Sequence, residues 1–244
     1  MAFFVQRHHR RIDMKLTLSN RLLACCGYVA AGDRVADVGC DHGYLGIYLL
    51  LEGIASFVIA SDINEKPLES ALHNAYKSGV QGRMSFYQSS GLRSIPRDFD
   101  SLVCAGMGAD TMISILDEAP WVKDARYRLI LQCQSRTPVL RQYLYSRGFA
   151  IRRETLAQDG KFIYPVMEAV YDPGSALTPG ECYISPALLR SGSPLLPAFL
   201  SRVIASVEST VHGLSRGGGE KYEEFRSILA ELKEMEAQVH ANGC

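Results

Sequence analysis

At 244 residues and 47% hydrophobic content, the chain can fill the core of one large α/β domain and still carry an appendage. Its 7 cysteines include no C-x-x-C pair, which argues against a disulfide framework and a zinc site, so no metal is expected. The formal net charge is zero, but basic runs lie before Arg34 and between Trp121 and Lys161, and an acidic run spans Glu220 to Glu236; a polyanion partner is admissible on one face.

No apolar run nears the roughly 20 residues of a membrane helix. The start, MAFFVQRHHRR, is too short in its apolar part for a secretory signal, which leaves the cytoplasm as the default location. Residues 1–15 read as a basic, aperiodic leader, with Met14 as a second candidate start. Leu16 to Tyr28 places apolar residues at helical spacing behind Thr17 and Ser19 and predicts a capped helix.

Arg34 to Gly46, RVADVGCDHGYLG, then carries a buried strand (Val35, Ala36, Val38) and a turn bracketed by Gly39 and Gly43. A helix follows from Tyr44 to Leu51. Phe57 to Ala60 is a second strand ending at Asp62, Asn64 to Ser78 a helix, and Met84 to Gln88 a short strand with a tight turn after it. Leu102 to Ala105 is a fourth strand, which breaks into Gly106, Met107 and Gly108 before a helix from Asp110 to Glu118.

Arg128 to Gln132 is a fifth strand, and Thr137 with Pro138 opens a helix that stops at Gly148. Phe149 to Leu156 and Phe162 to Tyr171 flank an Asp159-Gly160 hairpin signal. This alternation predicts a seven-stranded, doubly wound α/β sheet closed by an antiparallel hairpin, in a domain over 16–173. A Pro-, Gly- and Ser-rich linker over 174–196 leads to residues 197–244. There Phe199 to Leu214 and Tyr222 to Val239 are expected to pair as an antiparallel helical hairpin, either covering a core edge or serving as a partner-binding arm.

Ligands of such sheets bind at the carboxyl ends of the strands, where the glycine-bearing turns fall. A G-x-G-x-x-G dinucleotide fingerprint would need glycine at positions that hold Asp41 and Tyr44, and a carboxylate in that loop disfavours a pyrophosphate. Asp37 and Asp41 suit a cofactor with a positive centre, such as S-adenosyl-L-methionine, and Asp62 suits its ribose hydroxyls. The candidate cofactor site takes Asp37, Gly39, Cys40, Asp41, His42, Gly43 and Tyr44 from the first turn, and Asp62, Ile63 and Asn64 from the second. Ser89, Ser90, Gly91 and Leu92 come from the third, and Ala105, Gly106, Met107 and Gly108 from the fourth.

These motifs resemble the bacterial tRNA (adenine-22-N1)-methyltransferases, a class I S-adenosylmethionine-dependent family. The resemblance rests on LSNRL at 18–22, DVGCDHGYLG at 37–46, SDIN at 61–64, SGL at 90–92, AGMG at 105–108, LILQ at 129–132 and DGK at 159–161, over roughly residues 16–240. It implies a Rossmann-like seven-stranded sheet, a C-terminal coiled-coil-like helical hairpin, tRNA as partner, and a monomer or weak homodimer. Four residues depart from the family pattern: Gly46 and Cys133 stand where Pro is usual, Ala109 where Gly is, and Ser90 where Asp or Asn meets the cofactor's adenine.

Adenine N1 already has an in-plane lone pair, so alignment and desolvation can carry the methyl transfer and a general base is optional. Gln132 and Gln134 are candidates to meet the N1 and N6 edge of the target base, loop hydrogen bonding being the alternative. His42 is a candidate base or an orienting partner, and Met107 is expected to pack against a ring. Arg136, Arg141, Arg147, Arg152 and Arg153 are expected to form a basic face for tRNA; the helical arm is expected to supply shape, with only its less acidic first helix, which carries Arg202, touching RNA. A small-molecule methyltransferase and an inactive cofactor-binding protein are the competing readings.

Overall fold

The computed structural model describes residues 16–174 and 176–242; the basic leader at 1–15 lies outside the described residues. The strands are β1 (Arg34–Val38), β2 (Phe57–Asp62), β3 (Met84–Gln88), β4 (Ser101–Met107), β5 (Arg128–Cys133), β6 (Phe149–Asp159) and β7 (Phe162–Tyr171). They form one sheet in the order β3-β2-β1-β4-β5-β7-β6. The first five run parallel, and β7 lies antiparallel between β5 and β6.

The helices are α1 (Asn20–Cys26), α2 (Tyr44–Leu51), α3 (Glu65–Lys77), α4 (Ala109–Asp117), α5 (Thr137–Ser146), α6 (Pro179–Tyr183), α7 (Pro186–Leu189), α8 (Leu196–Leu214) and α9 (Glu220–Asn242). Because strand side chains alternate faces, β1, β4 and β5 send Ala36, Leu102, Cys104, Leu129 and Leu131 toward α4 and α5. Val35, Val103 and Ile130 go to the opposite face, where α1, α2 and α3 pack. Both faces are covered, which is why the inner strands read as unbroken apolar runs. Asp37 and Gln132 share the parity of Val35 and Ile130 and so point toward the α1 side.

Three elements differ from the sequence expectation, two of them through a long-range contact and the third through a local turn. The first helix is shorter, and Ser19 makes no side-chain cap. Asp159, from the turn between β6 and β7, accepts a hydrogen bond from the Asn20 backbone N–H at 3.1 Å instead, and the Asn20 side chain donates to the Gln158 carbonyl at 2.7 Å. β4 continues past Ala105 through a bulge, because the Gln132 side-chain oxygen accepts the Gly106 N–H at 2.9 Å. β6 runs on to Asp159, where Gly160 at φ 58° allows a two-residue turn.

The segment expected as a linker contains α6 and α7, and Ile184 and Leu188 are buried in one apolar cluster with Leu156 of β6, Leu200 and Ile204 of α8, and Leu232 of α9. The helical hairpin is thereby joined to the sheet edge by a shared core. Beside this junction Arg141 and Glu154 form a fully buried ion pair at 2.6 Å. The guanidinium also donates to the carbonyls of Cys182 and Tyr183, at 2.9 and 2.6 Å, and the Ser185 hydroxyl donates to Glu154.

The expected basic face is corrected by these contacts. Arg141 is buried, and the other four arginines each hold a carboxylate: Arg136 with Asp110 at 2.7 Å, Arg147 with Asp117 at 3.2 Å, Arg153 with Glu168 at 2.6 Å, and Arg152 with Asp172. These five arginines make a basic face in sequence only, since each is paired with a carboxylate once the chain is folded. Removing one member of the buried pair should leave the other uncompensated, so Glu154→Ala is expected to cost about 3 to 5 kcal/mol of stability in denaturant unfolding. A loss below about 1 kcal/mol would contradict the pair's place in the core.

Candidate active site at the carboxyl ends of β1, β2 and β4

The strand order reverses between β1 and β4, so the loops that follow these strands part and leave a crevice, which is where a doubly wound sheet binds its ligand. Two cavities meet there. The larger, about 550 Å³, lies against Ser89, Ser90 and Gly91 and one face of α4 along its length. The smaller, about 370 Å³, lies against the β1 turn, Ala105, Gly106 and Gln134. Gly39, Asp62 and Met107 line both.

Gly39 is at φ 72°, in the left-handed region that favours glycine, and a Cβ there would lie 2.2 Å from the Met107 methyl, so a side chain at position 39 would be strained and would push the Met107 tip aside. Gly43, at φ 71°, similarly lets the entrance of α2 lie against Ala71. Asp62 is 9% exposed; its carboxylate accepts the Asn64 N–H at 2.9 Å and the Asp41 N–H at 3.3 Å. Those bonds fix both oxygens and leave lone pairs for a vicinal diol.

Asp37 is 4% exposed, and its Oδ2 has no partner among the described residues. Burial raises its pKa to about 7; the Gly46 backbone N–H works against that shift and the nearby Asp62 adds to it. An unpartnered carboxylate oxygen beside a small cavity is a receptor for a cation or a hydrogen-bond donor. With Asp41 and Asp62 in the same lining the site fits a cationic sulfonium with its ammonium and excludes a pyrophosphate.

The other candidate residues divide clearly. Cys40, Asp41, His42, Tyr44, Asn64, Ala105, Gly106 and Gln134 line the smaller cavity, and Ile63 and Ser90 the larger. The Ser89 hydroxyl is spent within its own turn, donating to the Gly91 carbonyl at 2.9 Å and accepting the Ser94 N–H at 3.1 Å. Ser90 is exposed at the same cavity. Gly43, Leu92, Gly108 and Gln132 line neither cavity: Leu92 is in the core under α4, and Gly108 caps α4.

Gln132, expected to meet the target base, is fully buried. Its oxygen accepts from Gly106 and from Arg21 Nη1, both at 2.9 Å, so its place is beneath the site, holding the bulge. His42 stands half-exposed, 3.6 Å from the Asp41 carboxylate. Arg21 was missed by sequence reasoning. It lines the smaller cavity and reaches Asp159 at 3.4 Å, joining the LSNRL and DGK motifs. The α4 wall, including Asp110, Thr111 and Ser114, was also missed, because a helix face carries no local motif.

A family model described as methyltransferase domain matches residues 18–167. The chain belongs to the methyltransferase-domain family. Within it, the tRNA (adenine(22)-N(1))-methyltransferase of Bacillus subtilis is 28% identical, covering 91% of this chain and 98% of that protein. The crystal structure of the Bacillus subtilis enzyme that methylates tRNA at that adenine superposes with a TM-score of 0.75 at 26% identity, over 93% of this chain and 99% of its own. A Streptococcus pneumoniae methyltransferase solved with S-adenosyl-L-methionine gives 0.78 at 25% identity, over 90% and 100%. S-adenosyl-L-methionine, the cofactor anticipated for this chain, is the one bound in the Streptococcus pneumoniae structure, and both superpositions run over nearly the whole chain.

Among the described residues no helix is long and apolar enough to cross a membrane, and no cluster of His, Cys, Asp and Glu is placed to hold a metal. If Asp62 holds the ribose, Asp62→Ala should weaken S-adenosylmethionine binding by roughly 1.5 to 3 kcal/mol in calorimetry, the value of a charge-assisted hydrogen bond. An unchanged affinity would remove Asp62 from the site.

Proposed function

We propose that the chain transfers a methyl group from S-adenosyl-L-methionine to N1 of an adenine in tRNA, at position 22 by family resemblance. It acts in the cytoplasm as a monomer or weak homodimer. The observation that carries this reading is the relationship to the Bacillus subtilis tRNA methyltransferase along nearly the whole length of both chains, helical hairpin included. Among the named residues, Asp37, Asp41, Asp62, Asn64 and Ser90 are the proposed cofactor contacts, with Gly39, Gly106 and Met107 shaping the space between them.

When bound, S-adenosylmethionine supplies an electrophilic methyl group. Gly106, fixed by Gln132, adds no side chain of its own to the smaller cavity, where the Arg21 guanidinium and the Gln134 amide lie over it and can meet a planar base. Gln134, whose backbone N–H donates to the Met107 carbonyl at 2.9 Å, presents its amide at that cavity and is the proposed partner of the base edge. No base is required, since the acceptor nitrogen carries no proton, and His42 is left as an orienting group at the rim. The acidic lining favours the cationic product.

Nucleoside mapping by mass spectrometry, on tRNA treated with the protein and isotope-labelled cofactor, should show label in 1-methyladenosine alone. Gln134→Ala should lower kcat by about 10- to 100-fold with cofactor affinity unchanged, as expected when an interaction made to the reacting base is lost. Label in no nucleoside, with cofactor still bound, would favour a small-molecule methyltransferase or an inactive binding protein.

A further inference from the structure

A third cavity, about 280 Å³, opens beside the smaller cofactor cavity and shares Gln134 with it. Its walls are aromatic: Phe162 and Tyr164 from β7, Tyr183 from the end of α6, and Phe199 from α8. Phe162 and Tyr164 are two apart on one strand and so stand on one face, with ring centroids 6.1 Å apart. Phe162 is 54% exposed at the tip of the hairpin, where the fold gains little from a large apolar ring.

Arg136 and Arg141 line this groove but are each paired with a carboxylate; two further cations stand next to its lining residues Phe162 and Val203. The Lys161 ammonium lies 5.3 Å from the Phe162 ring centre, and Arg202 Nη1 donates to the Lys161 carbonyl at 3.2 Å. Neither side chain has a carboxylate partner among the described residues. Flat π-faces flanked by cations that no carboxylate holds, next to the proposed site of base modification, match the chemistry by which unpaired nucleotides are held: rings stack on aromatic side chains while cations meet the phosphates.

We propose that this groove stacks an unpaired nucleobase of the tRNA adjacent to the acceptor adenine, with Phe162 as its platform, a reading that rests on the tRNA function above. The occupant is the neighbour rather than the acceptor. An acceptor nitrogen must come within about 3 to 3.5 Å of the methyl carbon, and the cavity beside Gly106 offers that place, whereas the groove meets it only across Gln134. The helical hairpin thereby gains a part in substrate binding, since Phe199 supplies one wall.

The test is steady-state methylation of a tRNA transcript by wild type, Phe162→Ala and Phe162→Tyr, with cofactor affinity and melting temperature measured for each. Phe162→Ala should raise KM for tRNA about 10-fold, as loss of one stacking platform does, with kcat, cofactor affinity and melting temperature kept, and Phe162→Tyr should restore KM. An unchanged KM in Phe162→Ala would overturn the proposal. So would a fall in kcat at constant KM, which would put the acceptor base itself in the groove. A wild-type protein that methylates no tRNA would overturn the tRNA reading first, and this one with it, before any variant is made.

Discussion

A carboxylate shut away from water at the end of an inner strand, with one oxygen unpartnered, is the constraint around which this molecule is arranged. Burying an unpaired carboxylate costs several kcal/mol, and a chain ordinarily avoids it or neutralises the group. Asp37 is held there because β1 is flanked by β2 and β4 and covered on both faces, so the strand end cannot turn outward. The Gly46 N–H relieves part of the cost and burial raises the pKa to about 7, which leaves a group whose charge a cationic ligand would complete. The first glycine turn, the acid at the end of β2 and the Gly106 bulge line the same cavity as that carboxylate.

The same geometry explains why so much of the fold could be read from the sequence. Strands covered on both faces must be short apolar runs, and the βα turns between them must carry glycine or an acid, so β1 through β5 and their helices are locally encoded. What escaped was encoded at a distance. The true cap of α1 is Asp159, which no window around Ser19 can contain. The extension of β4 depends on the Gln132 side chain, one strand away. The five arginines look like a basic surface in sequence, and their carboxylate partners cancel it only once Asp110, Asp117, Glu154, Glu168 and Asp172 are brought beside them.

For the site, the residues that touch the cofactor region through loops were legible, because a loop must supply turn chemistry and function in the same few positions. Arg21 and the α4 wall were not, because helices contribute through faces whose members are three or four residues apart. Gln132 shows the limit of placing a residue at a strand end: parity sends its side chain under the sheet surface, while Gln134, two positions on in the loop, reaches the open cavity. The helical hairpin, joined by Leu156, Ile184 and Leu200 to the hairpin edge, stands where it can wall a substrate groove as well as cover a core.

The buried acid makes a direct statement about the cofactor. Binding a positive centre beside Asp37 must lower its pKa below the free value of about 7, so affinity for S-adenosylmethionine gains from ionised Asp37 at and above neutral pH and is lost as pH falls through that value. Calorimetric titration of wild type and Asp37→Asn with S-adenosylmethionine, between about pH 5.5 and 7.5, reads this directly. Wild-type affinity should rise across that window while the Asp37→Asn affinity stays low and flat. Equal affinities and equal slopes for the two proteins would contradict the reading of Asp37 as the cofactor's counter-charge.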